Sequence, residues 1–144
     1  MSLQAEHVLT IFEQINRVPR CSKNEKQIAA WLVGWARERE LSVEQDEIGN
    51  VLIRVPATAG YEEIPTVVLQ GHMDMVCEKT PDSTHNFDTD PIPVVRDGEW
   101  VHAEDTTLGA DNGIAVALAL ALAESDVPHP ALEILVTVDR NSVV

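Results

Sequence analysis

Apolar and polar positions follow distinct rhythms along this chain, and each rhythm predicts an element. Val8, Ile11, Phe12 and Ile15 recur at three- and four-residue steps, the spacing of one helix face, and Pro19 brings that first helix to a close. Ile28, Trp31, Leu32 and Trp35 repeat the rhythm in a second helix, which Ser22 and Glu25 are spaced to start as a capping box. Aromatic residues at helical spacing belong to the packing stripe, so both tryptophans are read as core. Residues 43–46 and 51–55 read as short strands joined through the turn formers Gly49 and Asn50, with their charges on an exposed face. Val67, Val68 and Leu69, between Pro65 and Gly71, read as a strand covered on both faces. Residues 78–91 carry turn formers and little apolar periodicity, which predicts a long surface loop, and Asp97-Gly98 is a strong hairpin signal between 92–96 and 99–103. Residues 114–123 are apolar on every side, the mark of a buried helix too short to span a membrane, and 132–138 read as a central strand.

Composition narrows the setting of these elements. A length of 144 residues, with 44% hydrophobic and 24% charged, suits one globular domain. The net charge of −14 argues against nucleic acid or an anionic membrane as partner. Cys21 and Cys77 form no close pair, so neither a zinc ribbon nor a disulfide framework is signalled, and a reducing compartment is expected. The N-terminal segment has acids among its apolar residues and no signal-peptide pattern, which places the chain in the cytoplasm.

Candidate chemistry sits where two of the elements end. After Gly71, a continued extended backbone puts His72 and Asp74 on one face and Met73 and Met75 on the other. Such a pair suits a metal site, since one imidazole nitrogen can bind an ion while a carboxylate fixes the ring's orientation and tautomer. A partly buried histidine bonded to a neighbouring carboxylate is the plainer alternative. In TTLGADNGIA, Asp111 sits at the hinge between Gly109 and Gly113 just ahead of the buried helix, where the dipole favours a carboxylate. A helix cap, shared with Asn112, is the alternative there. His85, Asp88 and Asp90 in the long loop and His102 on the hairpin read as solvated side chains.

Together, PTVVLQGHMDMV and GEWVHAEDTTLGADNGIA resemble the aminoacyl-histidine dipeptidases, also called peptidase D or cytosolic non-specific dipeptidases, of the co-catalytic zinc peptidase family. The resemblance implies an α/β, three-layer sandwich with a mixed, largely parallel central sheet, incomplete at the C-terminus. Residues 1–144 would then be the N-terminal part of the catalytic metallopeptidase domain, without the dimerisation domain through which family members often form homodimers. It implies metal-dependent hydrolysis of dipeptides by a metal-activated water. The cofactor would be two divalent metal ions, zinc first, with manganese or cobalt as alternatives. His72 resembles the ligand of one ion, Asp111 the carboxylate bridging two, and Asp74 the catalytic carboxylate beside His72. Asn112 stands where aminoacylase-type relatives carry lysine, which disfavours a deacylase.

Two departures from the family pattern matter. A Glu-Glu pair, base and metal ligand, follows the next strand in the family, whereas this chain has Arg140 and Asn141 at those positions after Asp139. Arginine stays cationic and cannot act as a base. Asp105 also stands where the family commonly has glycine. The chain by itself is therefore expected to be an inactive, truncated copy that holds metal weakly, with a non-catalytic remnant or association partner as the alternative. Strand 132–138, lacking its later neighbours, is expected to leave an open edge that invites association.

Overall fold

All the predicted helices and strands form, with ends shifted by a few residues. The structure is a computed structural model that describes residues 2–138, so Asp139, Arg140 and Asn141 lie outside the described residues. In chain order the elements are α1 (Ala5–Asn16), α2 (Lys26–Glu38), β1 (Ser42–Gln45), β2 (Val51–Val55), β3 (Val67–His72), β4 (Val94–Asp97), β5 (Trp100–Ala103), α3 (Ala110–Glu124) and β6 (Leu132–Thr137). Four strands make one sheet in the order β1-β2-β6-β3, and β4-β5 form a separate hairpin. The main sheet is mixed: β1–β2 and β2–β6 are antiparallel, while β3–β6 is the parallel pair.

Strand alternation decides which face of the sheet carries the core. Val51, Ile53 and Val55 of β2 lie opposite Val136, Ile134 and Leu132 of β6, and all six are buried. Ile11, Phe12 and Ile15 of α1, Ile28, Leu32 and Trp35 of α2, and Val116 and Leu120 of α3 pack with them in one cluster. The intervening positions face the other way, where Arg54 pairs with Glu44 at 3.2 Å and Glu133 at 3.6 Å. The described residues thus form an α/β fold around a mixed sheet, as the resemblance implied, with the three helices packed on one face of it.

Several expectations change once the strand order is known. β3 is the last strand of the sheet, so Val67 and Val68 are 43% and 55% exposed rather than covered on both faces. β6, expected to present an open edge, pairs along its length with β2 on one side and β3 on the other. The capping box does not form, because α2 starts after Glu25 without a side-chain cap while the Ser22 hydroxyl donates to Asp74 Oδ2 at 2.6 Å. Cys21 and Cys77, 56 residues apart, are joined by a disulfide, which the sequence spacing did not signal. Asp105 has φ 58°, a left-handed conformation that suits glycine.

Candidate functional site

The end of β3 and the start of α3 meet at His72. Extended backbone carries on past Gly71, so Met73 and Met75 turn into the interior while His72 and Asp74 share the opposite side. The His72 ring is held from behind: Nδ1 lies 3.0 Å from Asp74 Oδ1 and 3.0 Å from the Asp74 carbonyl oxygen. Asp74 is fully buried, with its second oxygen occupied by the Ser22 hydroxyl. On the outer side, His72 Nε2 lies 2.9 Å from Asp111 Oδ1.

Asp111 reaches that position because the helix does not start smoothly. Gly109 precedes α3 at φ 74°, and Asp111 and Asn112 have non-helical dihedrals. No side chain caps this terminus, so the cap alternative for Asp111 and Asn112 is not what the geometry shows. The Asp111 side chain is 86% exposed. Asn112 lies over the strand instead. A Cβ on Gly71 would stand 2.6 Å from Asn112 Oδ1 and 3.3 Å from Val116 Cγ2, so any side chain at position 71 would displace the Asn112 amide. Asn112 Oδ1 is buried and has no hydrogen-bond partner among the described residues.

Beneath both segments lies Arg20, 2% exposed. Its Nη1 donates to the Met73 carbonyl at 3.3 Å, and its Nη2 donates to Asn16 Oδ1 and to the Gly109 carbonyl, both at 2.8 Å. Burial pushes the guanidinium pKa down to about 10, with the nearby Asp74 charge acting the other way, so it is a cation at neutral pH. The Arg20 backbone is fixed by the Met75 N–H, which donates to its carbonyl at 2.9 Å, and the adjoining Cys21 by its disulfide to Cys77.

Such an arrangement places constraints on the ring. When Nδ1 donates to Asp74, the neutral imidazole presents a lone pair at Nε2, facing an oxygen of Asp111. Two acceptors that close require a cation or a proton between them. Imidazole nitrogen and carboxylate oxygen are donors that zinc accepts, and a carboxylate behind the ring is the usual orienting group. The residues present therefore fit part of a metal site. Among the described residues no group of three or more His, Cys, Asp or Glu side chains is gathered as a complete one.

The structure thus brings His72, Asp74 and Asp111 together. Of the other polar candidates, Asp88 accepts from the Asn24 amide at 3.1 Å and Asp90 from the Asn86 N–H at 2.9 Å, while His85, expected to be solvated, is half-buried with its ring 4.6 Å from that of Phe87 and its Nε2 buried. His102 is exposed on β5. Two neighbours of the site were missed: Ser22 looked like a helix cap, and Arg20 lies between two helices with no local pattern to mark it.

The fold is one that solved peptidases share. A tripeptidase from Staphylococcus aureus superposes with a TM-score of 0.75 at 22% identity, over 99% of this chain and 38% of that one. No protein-family model matches the chain. Sequence carries the assignment further. The cytosol non-specific dipeptidase of Escherichia coli is 51% identical over 141 residues, 97% of this chain and 29% of that protein. The crystal structure of aminoacylhistidine dipeptidase from Vibrio alginolyticus matches with a TM-score of 0.93 at 44% identity, over 98% of this chain and 29% of that one. The chain is a relative of these dipeptidases and spans 29% of their length.

Proposed function

We propose that this chain carries one part of the metal site of a peptide-hydrolysing enzyme, and that its full-length relatives' dipeptidase chemistry is the activity to which it belongs. The observation that supports this reading is the close approach of His72 Nε2 to Asp111 Oδ1, with Asp74 fixing the ring from behind. His72 and Asp111 would hold divalent ions, zinc best suited to the donor set, manganese and cobalt next. A bound ion supplies polarisation of the scissile carbonyl and a lowered pKa for water. The chain's own residues hold the His72 ring in one orientation, keep Nδ1 protonated through Asp74, and present an exposed carboxylate at Asp111. Asp74 acts by orienting the histidine, and the dipeptide would approach from the open side where Asp111 stands.

The same count of donors supports inactivity of the chain alone. Zinc in catalytic sites takes roughly three protein ligands plus water, and the described residues bring two donors together. A non-catalytic remnant remains the second reading on that ground. The E. coli relative's name places that protein in the cytosol, and we assign this chain to the cytoplasm on that likeness. The Cys21–Cys77 bridge is unusual for a reducing compartment, so a count of free thiols in protein taken from cells tests the assignment.

The functional reading is tested by replacing the matching segment of the E. coli dipeptidase with residues 1–138 of this chain. Chelator-sensitive hydrolysis of a histidine-containing dipeptide, abolished by His72→Ala or Asp111→Ala in the graft, is the expected result. A folded chimera whose activity is indifferent to both substitutions would contradict it.

A further inference from the structure

We propose that Arg20 is the positioning residue of this site, fixing the distance between the segment that carries His72 and the hinge that carries Asp111 although it touches neither. The proposal builds on the metal-site reading above, and deepens it by naming what holds the two donors in register.

The connections of the guanidinium carry the argument. Met73, whose carbonyl accepts from Nη1, lies between His72 and Asp74 in sequence, and Gly109, whose carbonyl accepts from Nη2, comes two residues before Asp111. One rigid, planar group therefore bonds the backbone of both segments, and its third contact, Asn16, anchors it to the end of α1. A flat fork of donors spans two carbonyls at a fixed separation, which the single ammonium of lysine does not.

The helix start is shaped around the same group. A Cβ at Gly109 would run into Arg20 Nη2 and Met75 Sδ, and a Cβ at Gly113 would stand 2.8 Å from Arg20 Nη2 and 2.9 Å from Phe12 Cε2. The two glycines bracketing Asp111 thus leave room for the guanidinium. Stability alone does not account for this choice. A charge taken out of water carries a large desolvation penalty, and well-packed apolar residues commonly replace buried ionic groups without loss. What apolar residues cannot supply is directional bonding to the carbonyls on either side of the site.

The experiment uses the whole chain with Arg20→Lys, which keeps the charge and removes the fork, and Arg39→Lys as a surface control. Three quantities are read: the thermal transition, the ring 15N resonances of His72 without metal, and zinc affinity by calorimetry. Arg20→Lys is expected to shift the His72 ring resonances and to weaken zinc binding by about tenfold or more, the scale seen when groups supporting metal ligands are lost. Arg39→Lys should change neither. Should Arg20→Lys not fold, Gly109→Ala, which drives a methyl group against Nη2, should give the same shift and the same loss. Ring resonances and zinc affinity unchanged from the unmodified chain, in a folded variant of either kind, would overturn the proposal. Failure of the unmodified chain to bind zinc would instead count against the metal-site reading, and the ring resonances would then decide the role of Arg20 by themselves.

Discussion

The two sides of the His72 ring are built in opposite ways. On the inner side Asp74 is wholly buried and meets the ring, the Ser22 hydroxyl and the field of Arg20. On the outer side Asp111 is exposed, on a non-helical turn ahead of α3, and the structure shows the ring nitrogen as its partner. The inner half is a structural assembly whose orientation is set before any ligand arrives. The outer half is a carboxylate free to change partners at little cost to the fold. For the proposed metal site, orienting a histidine while still admitting an ion would call on both kinds of construction.

The sharpest way to break this contrast is to remove each carboxylate in turn. Asp74→Ala leaves the buried His72 ring without its carboxylate partner and the buried Arg20 cation without the nearby opposite charge, and should lower stability by about 3–5 kcal/mol in urea unfolding. Asp111→Ala should stay within about 0.5 kcal/mol of the unmodified chain, as exposed substitutions do. Equal losses in the two variants would show that the inner half is not specially built.

Next in size is the disulfide, which ties the Arg20-Cys21-Ser22 segment to the loop that follows Asp74. It closes a separation of 56 residues, for which loop entropy gives roughly 4 kcal/mol. Cys21→Ser with Cys77→Ser should lower the urea midpoint accordingly, and reductant should do the same to the unmodified chain. Insensitivity to both would separate the inner half from its staple.

Gly71→Ala probes the contact between the halves. Its methyl group would press on Asn112 Oδ1, and overpacking of this kind costs about 1–3 kcal/mol. The midpoint should fall while the far-UV spectrum stays the same.

How far these features could be read from the sequence depends on their range. Helix periodicity, the Asp97-Gly98 turn and the alternation around His72 are local, and the corresponding elements formed as expected. The meeting of Asp111 with His72 was legible only through resemblance, because nothing local states a contact across a separation of 39 residues. The exposure of β3 followed from strand order, which no run of apolar residues specifies. Ser22 shows how a local rule can be overruled: its spacing to Glu25 fits a helix cap, but its hydroxyl donates instead to the fully buried Asp74 carboxylate, where a hydrogen bond offsets a larger desolvation cost. Arg20 was silent because a lone arginine between two helices has no period, and its meaning lies in carbonyls 53 and 89 residues away.

The smallest effect expected lies far from the site and marks the background against which the others are judged. The Asn50 side chain, together with the N–H groups of Gly49, Asn50 and Ile48, holds the Asp46 carboxyl below its ordinary value of 3.8, with partial desolvation opposing. Its folded pKa is depressed, so the stabilisation is complete above 3.8 and disappears as pH falls through the lower folded value. The difference in stability between the unmodified chain and Asp46→Ala should therefore be constant near neutrality and shrink in acid. A difference that grows on acidification would reverse the assigned direction.

Zinc titration of the whole chain by calorimetry tests the central claim most directly, that His72 and Asp111 are two donors of a metal site the described residues only partly supply. Weak binding that disappears in His72→Ala and in Asp111→Ala alike is the expected result. Tight, stoichiometric uptake of two ions, or binding that survives both substitutions, would contradict it.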